Sequence, residues 1–251
     1  MISTSLRNVL LLSLAVFALS LGAWGQSCSN SSLTGGYGIG ALGTNASGDS
    51  VAVSGLLTAD GNGNLKGTQT ESVNGTISSN VPISGTYSIG SDCNGTMAIT
   101  PKGGTKQNYN VTVASQGSRF FSLETDTGSV LSLYGRSTEE TTCATNASGT
   151  FGFTASGSFV GTGNIAISGQ ITFDGAGHVS GIESSSIAGK INSNVAFTGT
   201  YSVKSNCTGK AAFKPKGGTM VHVSFELVRQ MQSVFFVETD ANSIIVGFDR
   251  E

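Results

Sequence analysis

Two pairs of carboxylates are the residues whose type and spacing could support acid–base chemistry. Glu124 and Asp126 lie two positions apart, and Glu238 and Asp240 repeat that spacing later in the chain. Paired carboxylates carry out glycoside hydrolysis, where their separation sets the stereochemistry. Each pair also falls where a strand pattern runs into a turn, and acidic side chains there usually cap the turn or face solvent. We therefore favour a structural role for both pairs.

The two histidines, His178 and His222, are the next candidates for catalysis. A catalytic histidine needs a nucleophile and an orienting acid beside it, and the chain has no G-x-S-x-G motif. By strand parity His222 lies opposite the apolar face, which predicts a solvated side chain. The segment 60–64 (DGNGN) spaces oxygen side chains as a calcium loop does, but Asp-Gly is also typical of a hairpin turn, which we favour. We expect no catalytic residue, metal site or cofactor.

Four polar residues stand inside apolar alternation and are the best candidates for contacting a ligand. Gln69 and Glu71 share the strand parity of the apolar residues around them, and Glu183 and Ser185 do the same later in the chain. If that parity faces the protein interior, these groups need hydrogen-bond partners there, and a ligand could be one. A β-bulge or register slip would instead return them to solvent.

The composition excludes several classes of protein. Charged residues make up 11% of the 251 residues, against about 25% in typical globular proteins, which excludes charge-rich disorder and coiled coils. A net charge of −2 without a basic cluster argues against a nucleic-acid partner. The 36 glycines follow no three-residue period, so collagen is excluded. A weakly charged, β-rich globular protein remains.

The first 25 residues have the pattern of a secretory signal peptide. Arg7 supplies the basic start, residues 9–21 are apolar, and Ala23 and Gly25 are small residues before a cleavage site. The apolar stretch of about 13 residues is shorter than the roughly 20 that span a bilayer as a helix. We expect cleavage near Gly25 and a secreted chain, periplasmic or extracellular, that does not span a membrane.

An internal duplication organises the rest of the chain. When the chain is shifted by 114 residues, segments 54–93 and 168–207 are identical at 19 of 40 positions. The repeat predicts a first unit at 26–136 and a second unit at 143–251. The polar stretch 137–142 (STEETT) is the natural linker between them.

Four cysteines follow the signal segment, and an even count in an oxidising compartment indicates disulfides. Cys28 and Cys143 stand just ahead of the repeated segments, whereas Cys93 and Cys207 lie at their ends. The duplication therefore favours one bridge in each unit, Cys28–Cys93 and Cys143–Cys207. No two of these cysteines have the close spacing that a zinc site needs.

Apolar and polar residues alternate through both units, and no 3.6-residue period lasts for a full helix. Turn residues separate eight expected strands in each unit. Short connections predict an antiparallel meander, and eight strands suit a barrel that closes and leaves no edge. We predict an all-β fold of two tandem eight-stranded, antiparallel up-and-down barrels, one disulfide each. The alternatives are a two-sheet sandwich and a single sixteen-stranded outer-membrane barrel.

Tyr37 follows two glycines at the first strand of the first unit, and Arg136 closes its last strand. Phe151 and Arg250 hold the same places in the second unit. This pattern resembles the calycin superfamily of lipocalins and avidins, whose first strand begins Gly-x-Trp and whose last strand often carries an arginine over that ring. The resemblance implies calycin-like barrels, each closed by a cation–π pair: Tyr37 with Arg136, and Phe151 with Arg250.

The segment 85–88 (GTYS) with its following cysteine, repeated at 199–202, resembles a tandem duplicated family of uncharacterised exported bacterial proteins. We expect an exported, non-enzymatic binding protein in which each barrel could hold a small, mostly apolar ligand. The alternative is a structural or adhesive protein of the envelope or extracellular space, with solidly packed barrels. The partner is accordingly a small apolar ligand or an envelope or extracellular component.

Overall fold

The computed structural model describes residues 27–139, 142–229 and 232–249, so the predicted signal peptide lies outside the described residues. Two short 3-10 segments, Asn30–Ser32 and Ser115–Gly117, accompany the strands. The strands of the first half are β1 (Thr34–Thr44), β2 (Ser50–Asp60), β3 (Asn64–Val73), β4 (Thr76–Ile89), β5 (Asn94–Pro101), β6 (Gln107–Ala114), β7 (Arg119–Glu124) and β8 (Val130–Ser137). The strands of the second half are β9 (Ser148–Phe159), β10 (Gly163–Asp174), β11 (His178–Ile187), β12 (Lys190–Val203), β13 (Thr208–Pro215), β14 (Val221–Val228), β15 (Ser233–Glu238) and β16 (Ser243–Asp249).

Each half closes into an eight-stranded antiparallel barrel. Consecutive strands pair throughout, and the closing pairs are β1 with β8 in the first barrel and β9 with β16 in the second. The predicted all-β fold of two tandem up-and-down barrels is therefore confirmed. Neither a two-sheet sandwich nor one sixteen-stranded barrel describes this topology. β8 runs to Ser137, one residue into the predicted linker.

Carboxylate-capped turns connect several of the strands. Between β2 and β3, one oxygen of Asp60 accepts hydrogen bonds from the main-chain N–H groups of Asn62 and Asn64, at 2.8 and 2.9 Å. Asp174 does the same between β10 and β11. The side chain and main chain of Asn64 hold the pKa of Asp60 well below its usual value, at about 2. This geometry accounts for the DGNGN segment as a hairpin turn.

One disulfide joins the start of each barrel to the turn that follows its fourth strand. The bridges are Cys28–Cys93 and Cys143–Cys207, which confirms the predicted pairing. Beside them, the Tyr87 hydroxyl donates to the Leu33 carbonyl at 2.6 Å, and the Tyr201 hydroxyl donates to the Ala147 carbonyl. Each barrel therefore has a covalently tied end, which we call the disulfide end, and an opposite end without a disulfide.

The two barrels pack against each other through the outer faces of β1–β3 and β14–β16. Glycines in β1 allow close approach, because a Cβ at Gly38 would lie 2.4 Å from Val228, and one at Gly40 would lie 2.9 Å from Phe235. The Ser72 hydroxyl donates across the interface to the Ser243 carbonyl. The two barrels thus share a packed boundary that excludes solvent from these faces.

An ionisable residue lies inside this boundary. Glu226 in β14 is 3% exposed, and the Ser54 hydroxyl of β2 donates to its carboxyl. Burial raises the pKa of Glu226 to about 8, and the hydrogen bond from Ser54 offsets only part of that rise. A carboxyl in this position is mostly uncharged at neutral pH, because ionising it would place a charge in a low-dielectric interface.

Candidate functional site

The interior of the first barrel is filled by its own side chains. Met97 and Tyr109 are 2% and 4% exposed, and they project from β5 and β6 into a continuous apolar core. Leu57 and Ile99 on neighbouring strands are equally buried. Protein interiors are close-packed, so side chains of this size occupy the space that a barrel ligand would need.

The second barrel encloses a cavity of about 510 Å³. Its wall is mostly apolar, and Ile167, Ile171 and Phe213, which line it, are only partly buried because they face open space. Seven phenylalanines line the cavity: Phe153, Phe159, Phe173, Phe197, Phe213, Phe225 and Phe236. A volume of this size falls in the usual range of small-molecule sites, about 300–1,000 Å³.

Side chains at equivalent interior positions differ in size between the two barrels. Under the 114-residue repeat, Ala211 stands where the first barrel has Met97, and Val223 stands where it has Tyr109. Both smaller residues line the cavity. Phenylalanine replaces isoleucine elsewhere on the wall, as at Phe197, which packs against Phe213 with ring centroids 5.0 Å apart. Volume is lost at Ala211 and Val223, and rings are gained at neighbouring positions of β12, β13 and β14, which leaves a space bordered by aromatic side chains.

The cavity opens at the end opposite the disulfide. Its lining includes the exposed hairpin 216–219 between β13 and β14 and reaches Asp240 between β15 and β16. Three exposed apolar residues, Val160, Ile191 and Met220, lie on hairpins at this same end. The second barrel is therefore a cup with a closed disulfide end and an apolar mouth.

The four predicted ligand-contact residues fall on interior faces, two in each barrel. In the first barrel the Gln69 amide donates to a Glu71 carboxyl oxygen at 2.6 Å, so the two satisfy each other. In the second, Glu183 and Ser185 line the cavity. A bulge occurs beside each pair, but its extra residue lies in the neighbouring strand, β4 or β12. The predicted residues therefore keep their inward parity.

Glu238 is a cavity residue that sequence reasoning treated as structural. It follows Val234 and Phe236 at alternate positions of β15, and all three line the cavity. The Ser243 hydroxyl donates to its Oε1 at 2.6 Å. Burial raises the pKa of Glu238 to about 7, with smaller upward contributions from the charges of Asp240 and Glu183. The inward parity with Phe236 was the signal that could have identified it.

The first-barrel counterpart of Glu238 is also buried. Glu124 accepts a hydrogen bond from the Ser129 hydroxyl at 2.7 Å, and burial raises its pKa. Asp126 instead caps the turn through the main-chain N–H of Asn108 at 2.9 Å, as a structural role predicts. Each predicted carboxylate pair therefore divides into an inward glutamate and a turn-capping aspartate.

The histidines are exposed turn partners. The side chains of His178 and His222 are 68% and 53% exposed, and each ring nitrogen lies within 3 Å of an aspartate, Asp174 or Asp240. The solvated position predicted for His222 is confirmed.

The structure places Tyr37 and Arg136 on opposite faces of the barrel wall. Tyr37 points inward, packs edge-on against Phe120 with ring centroids 5.5 Å apart, and donates to the Gly117 carbonyl at 2.7 Å. Arg136 pairs in register with Gly38, on the outward face, and donates to the Ser233 hydroxyl of the second barrel at 3.1 Å. The expected cation–π pair between Tyr37 and Arg136 is corrected accordingly. Neighbouring residues of a strand point to opposite faces, so Gly135 faces the barrel interior and Arg136 faces outward.

In the second barrel, Phe151 packs edge-on against Phe173 at 5.7 Å between centroids. Its expected partner, Arg250, lies outside the described residues. The aromatic residue at the start of each barrel therefore packs against another ring near the disulfide end.

No protein-family model and no curated protein matches this chain. Among the described residues, the structure contains no helix with the length and hydropathy that crossing a membrane requires. The two disulfides indicate folding in an oxidising compartment.

Proposed function

We propose that this protein is an exported, non-enzymatic binding protein whose second barrel holds one small, mostly apolar molecule. The observation that carries the proposal is the cavity of about 510 Å³ with seven phenylalanines on its wall and an apolar mouth. Moving an apolar molecule from water into such a wall is favourable by about 25 cal/mol per Å² of buried surface. A preformed cup also avoids much of the ordering cost of binding.

Export is part of the same proposal and is supported by two separate features. The disulfides Cys28–Cys93 and Cys143–Cys207 are typical of proteins outside the reducing cytoplasm. The N-terminal segment 1–25 has the basic start, apolar stretch and small residues of a signal peptide.

For the first barrel, the packing of its interior supports a structural role within this protein. Its interior is packed by residues such as Met97 and Tyr109, and its outer face supports β14–β16 of the cup. We therefore propose a ligand for the second barrel alone, where the sequence predicted one for each barrel. For the first barrel we propose the packed, structural alternative.

The test is binding of N-phenyl-1-naphthylamine, an apolar dye that fluoresces on leaving water, to the mature chain. We expect one dye molecule per chain. Ala211→Met, which restores the bulk of Met97 inside the cup, should weaken dye binding about tenfold or more, since it removes cavity volume. Ala212→Met adds the same side chain to the outward position next to it and should leave dye binding unchanged.

Native mass spectrometry of the protein purified from its own host, without detergent, would then identify a natural ligand by its mass. Failure of the dye to bind, or equal binding to the Ala211→Met and Ala212→Met variants, would overturn the proposal. Two dye molecules per chain would show that the first barrel also has an accessible interior.

A further inference from the structure

The wall of the cup is mostly apolar, and two of its carboxyl groups, Glu183 and Glu238, are not fully hydrogen-bonded by the protein. Glu238 is 7% exposed, and its Oε1 accepts the Ser243 hydroxyl, but its Oε2 carries no hydrogen bond to any described residue. Glu183, half-buried on the facing part of the wall, has no hydrogen-bond partner within the described chain. These open acceptors face the cavity and are available to a hydrogen-bond donor that enters it.

Acidic residues outnumber basic residues on the described part of the cavity wall. Glu183, Glu238 and Asp240 are the acidic residues of the described lining, and Lys216, which is exposed at the mouth, is its one basic residue. Burial raises the pKa of Glu183, and the charge of Glu183 further raises the pKa of Glu238. His222 lowers the pKa of Glu238 only slightly. A positive charge placed among these groups would relieve both the burial cost and their mutual repulsion.

The first barrel differs from the second in how the carboxyl on β3 or β11 is paired. In the first barrel, Glu71 accepts from the Gln69 amide, while Glu124 accepts one serine hydroxyl as Glu238 does. In the second barrel, Glu183 replaces Gln69 and Ser185 replaces Glu71, so the amide donor has been lost and the carboxyl has moved to its position. The exchange removes the amide that donates to the carboxyl in the first barrel.

We propose that the ligand of the second barrel is an amphipathic organic cation: a protonated amine that binds between Glu183 and Glu238, carried on an apolar body that packs against the phenylalanines. The inference rests on the proposed function and names its ligand class. Charge-assisted hydrogen bonds to both carboxylates orient the amine, and the aromatic faces of the wall add cation–π attraction. The apolar mouth admits the body of the molecule.

The experiment compares three probes that share one apolar chain, decylammonium, decanol and decanoate, by isothermal titration calorimetry at pH 8. At this pH the alkylamine is protonated, and the pKa of Glu238 at about 7 leaves that carboxyl mostly ionised. We expect decylammonium to bind about tenfold or more tightly than decanol, and decanoate to bind most weakly. The double variant Glu183→Gln, Glu238→Gln should bind decylammonium and decanol within about threefold of each other, while keeping the decanol affinity.

Glu71→Gln in the packed first barrel is the matched control and should leave all three affinities unchanged. If decanol or decanoate binds the wild-type protein as tightly as decylammonium, the cation proposal fails while the cup remains a ligand site. If the double variant keeps the amine preference, the carboxyls are not its source and the proposal also fails. If none of the probes and no dye binds, the proposed function itself is wrong.

Discussion

The two barrels share every feature that defines their topology and differ in what fills them. Both have eight strands, a disulfide from the leading segment to the turn after the fourth strand, and a tyrosine hydroxyl bonded beside it. Inside, Met97 and Tyr109 of the first barrel become Ala211 and Val223 in the second. Hydrogen bonding and strand closure therefore maintain the fold, while interior volume is free to diverge.

The difference also separates the roles of the two ends of each barrel. At the disulfide end, Phe173, Tyr201 and Phe225 of the second barrel pack together, with Phe173 lying 4.8 Å from the Tyr201 ring. Toward the mouth, Ile167 and Phe213 are partly exposed to the cavity. The aromatic cluster at the disulfide end supplies a close-packed core for the second barrel. The strands can therefore stay closed around a cavity nearer the mouth.

The largest effect is expected from Glu226, because its burial between the two barrels favours the uncharged carboxyl. Its pKa is about 8 in the folded protein and 4.5 in the unfolded chain, so the stabilisation is complete below pH 4.5 and is lost as pH rises to 8. Over this window the unfolded chain binds fewer protons, and the free energy of unfolding falls by about 1.4 kcal/mol per pH unit. Glu226→Gln should remove this component of the pH dependence, measured by urea unfolding at pH 5, 6.5 and 8.5.

Glu139→Gln, at an exposed position, is the control and should follow the wild-type curve. Above pH 8, the weakened boundary should let the barrels unfold in two transitions, with the packed first barrel unfolding at the higher urea concentration. Parallel pH curves for wild type and Glu226→Gln would contradict an uncharged carboxyl between the barrels.

A smaller effect on stability is expected from exchanging the residues found at equivalent interior positions of the two barrels, Met97 and Ala211. Met97→Ala should destabilise the first barrel by about 3 kcal/mol, because a buried methionine is replaced by a cavity. Ala211→Met should stabilise the second barrel by about 1 kcal/mol, because the added side chain fills space that already exists. Urea unfolding measures both changes, and dye binding reports the cavities.

These two variants also test whether the size of the side chain at this interior position determines if a barrel has a ligand cavity. We expect Met97→Ala to give the first barrel weak dye binding of its own, so that dye stoichiometry rises above one per chain. An unchanged stability in both variants would mean that the interiors repack freely and that the contrast between Met97 and Ala211 does not determine the cavity.

The closed topology and both disulfides could be predicted because they depend on patterns that are local or repeated. Period-2 alternation identified the strands, short turns such as 60–64 fixed the order of pairing, and duplication selected Cys28–Cys93. The inward position of Gln69 and Glu183 followed from parity as well. The bulges do not change the direction of these side chains, because the extra residues lie in the partner strands β4 and β12.

The cavity and the inter-barrel boundary could not be predicted in the same way. Losses of volume at Ala211 and Val223 are partly offset by gains such as Phe197, so only the packed geometry shows which change dominates. Gly40 and Ser54 look like ordinary outward residues of a strand until a second barrel covers them. Contacts between units depend on shape across the whole surface, and alternation carries no information about it.

The smallest effect is expected at the turn where the second barrel has a histidine. In this turn the main-chain N–H groups of residues 176 and 178 donate to Asp174, as those of residues 62 and 64 donate to Asp60. The His178 ring adds an exposed contact of 2.9 Å to Asp174, in the place of the Asn64 amide. His178→Asn should therefore leave the melting temperature and the dye affinity unchanged within error.

Asp174→Ala is the informative comparison, because it removes the acceptor of both main-chain bonds and should lower the melting temperature by several degrees. Neither variant should alter dye affinity, since the turn lies at the disulfide end, away from the mouth. A loss of dye binding in His178→Asn would indicate that the histidine contributes to the binding site. Unchanged affinity in both variants would place the functional difference between the barrels in the wall of the cavity, where Ala211, Val223 and Glu183 replace the residues that fill the first barrel.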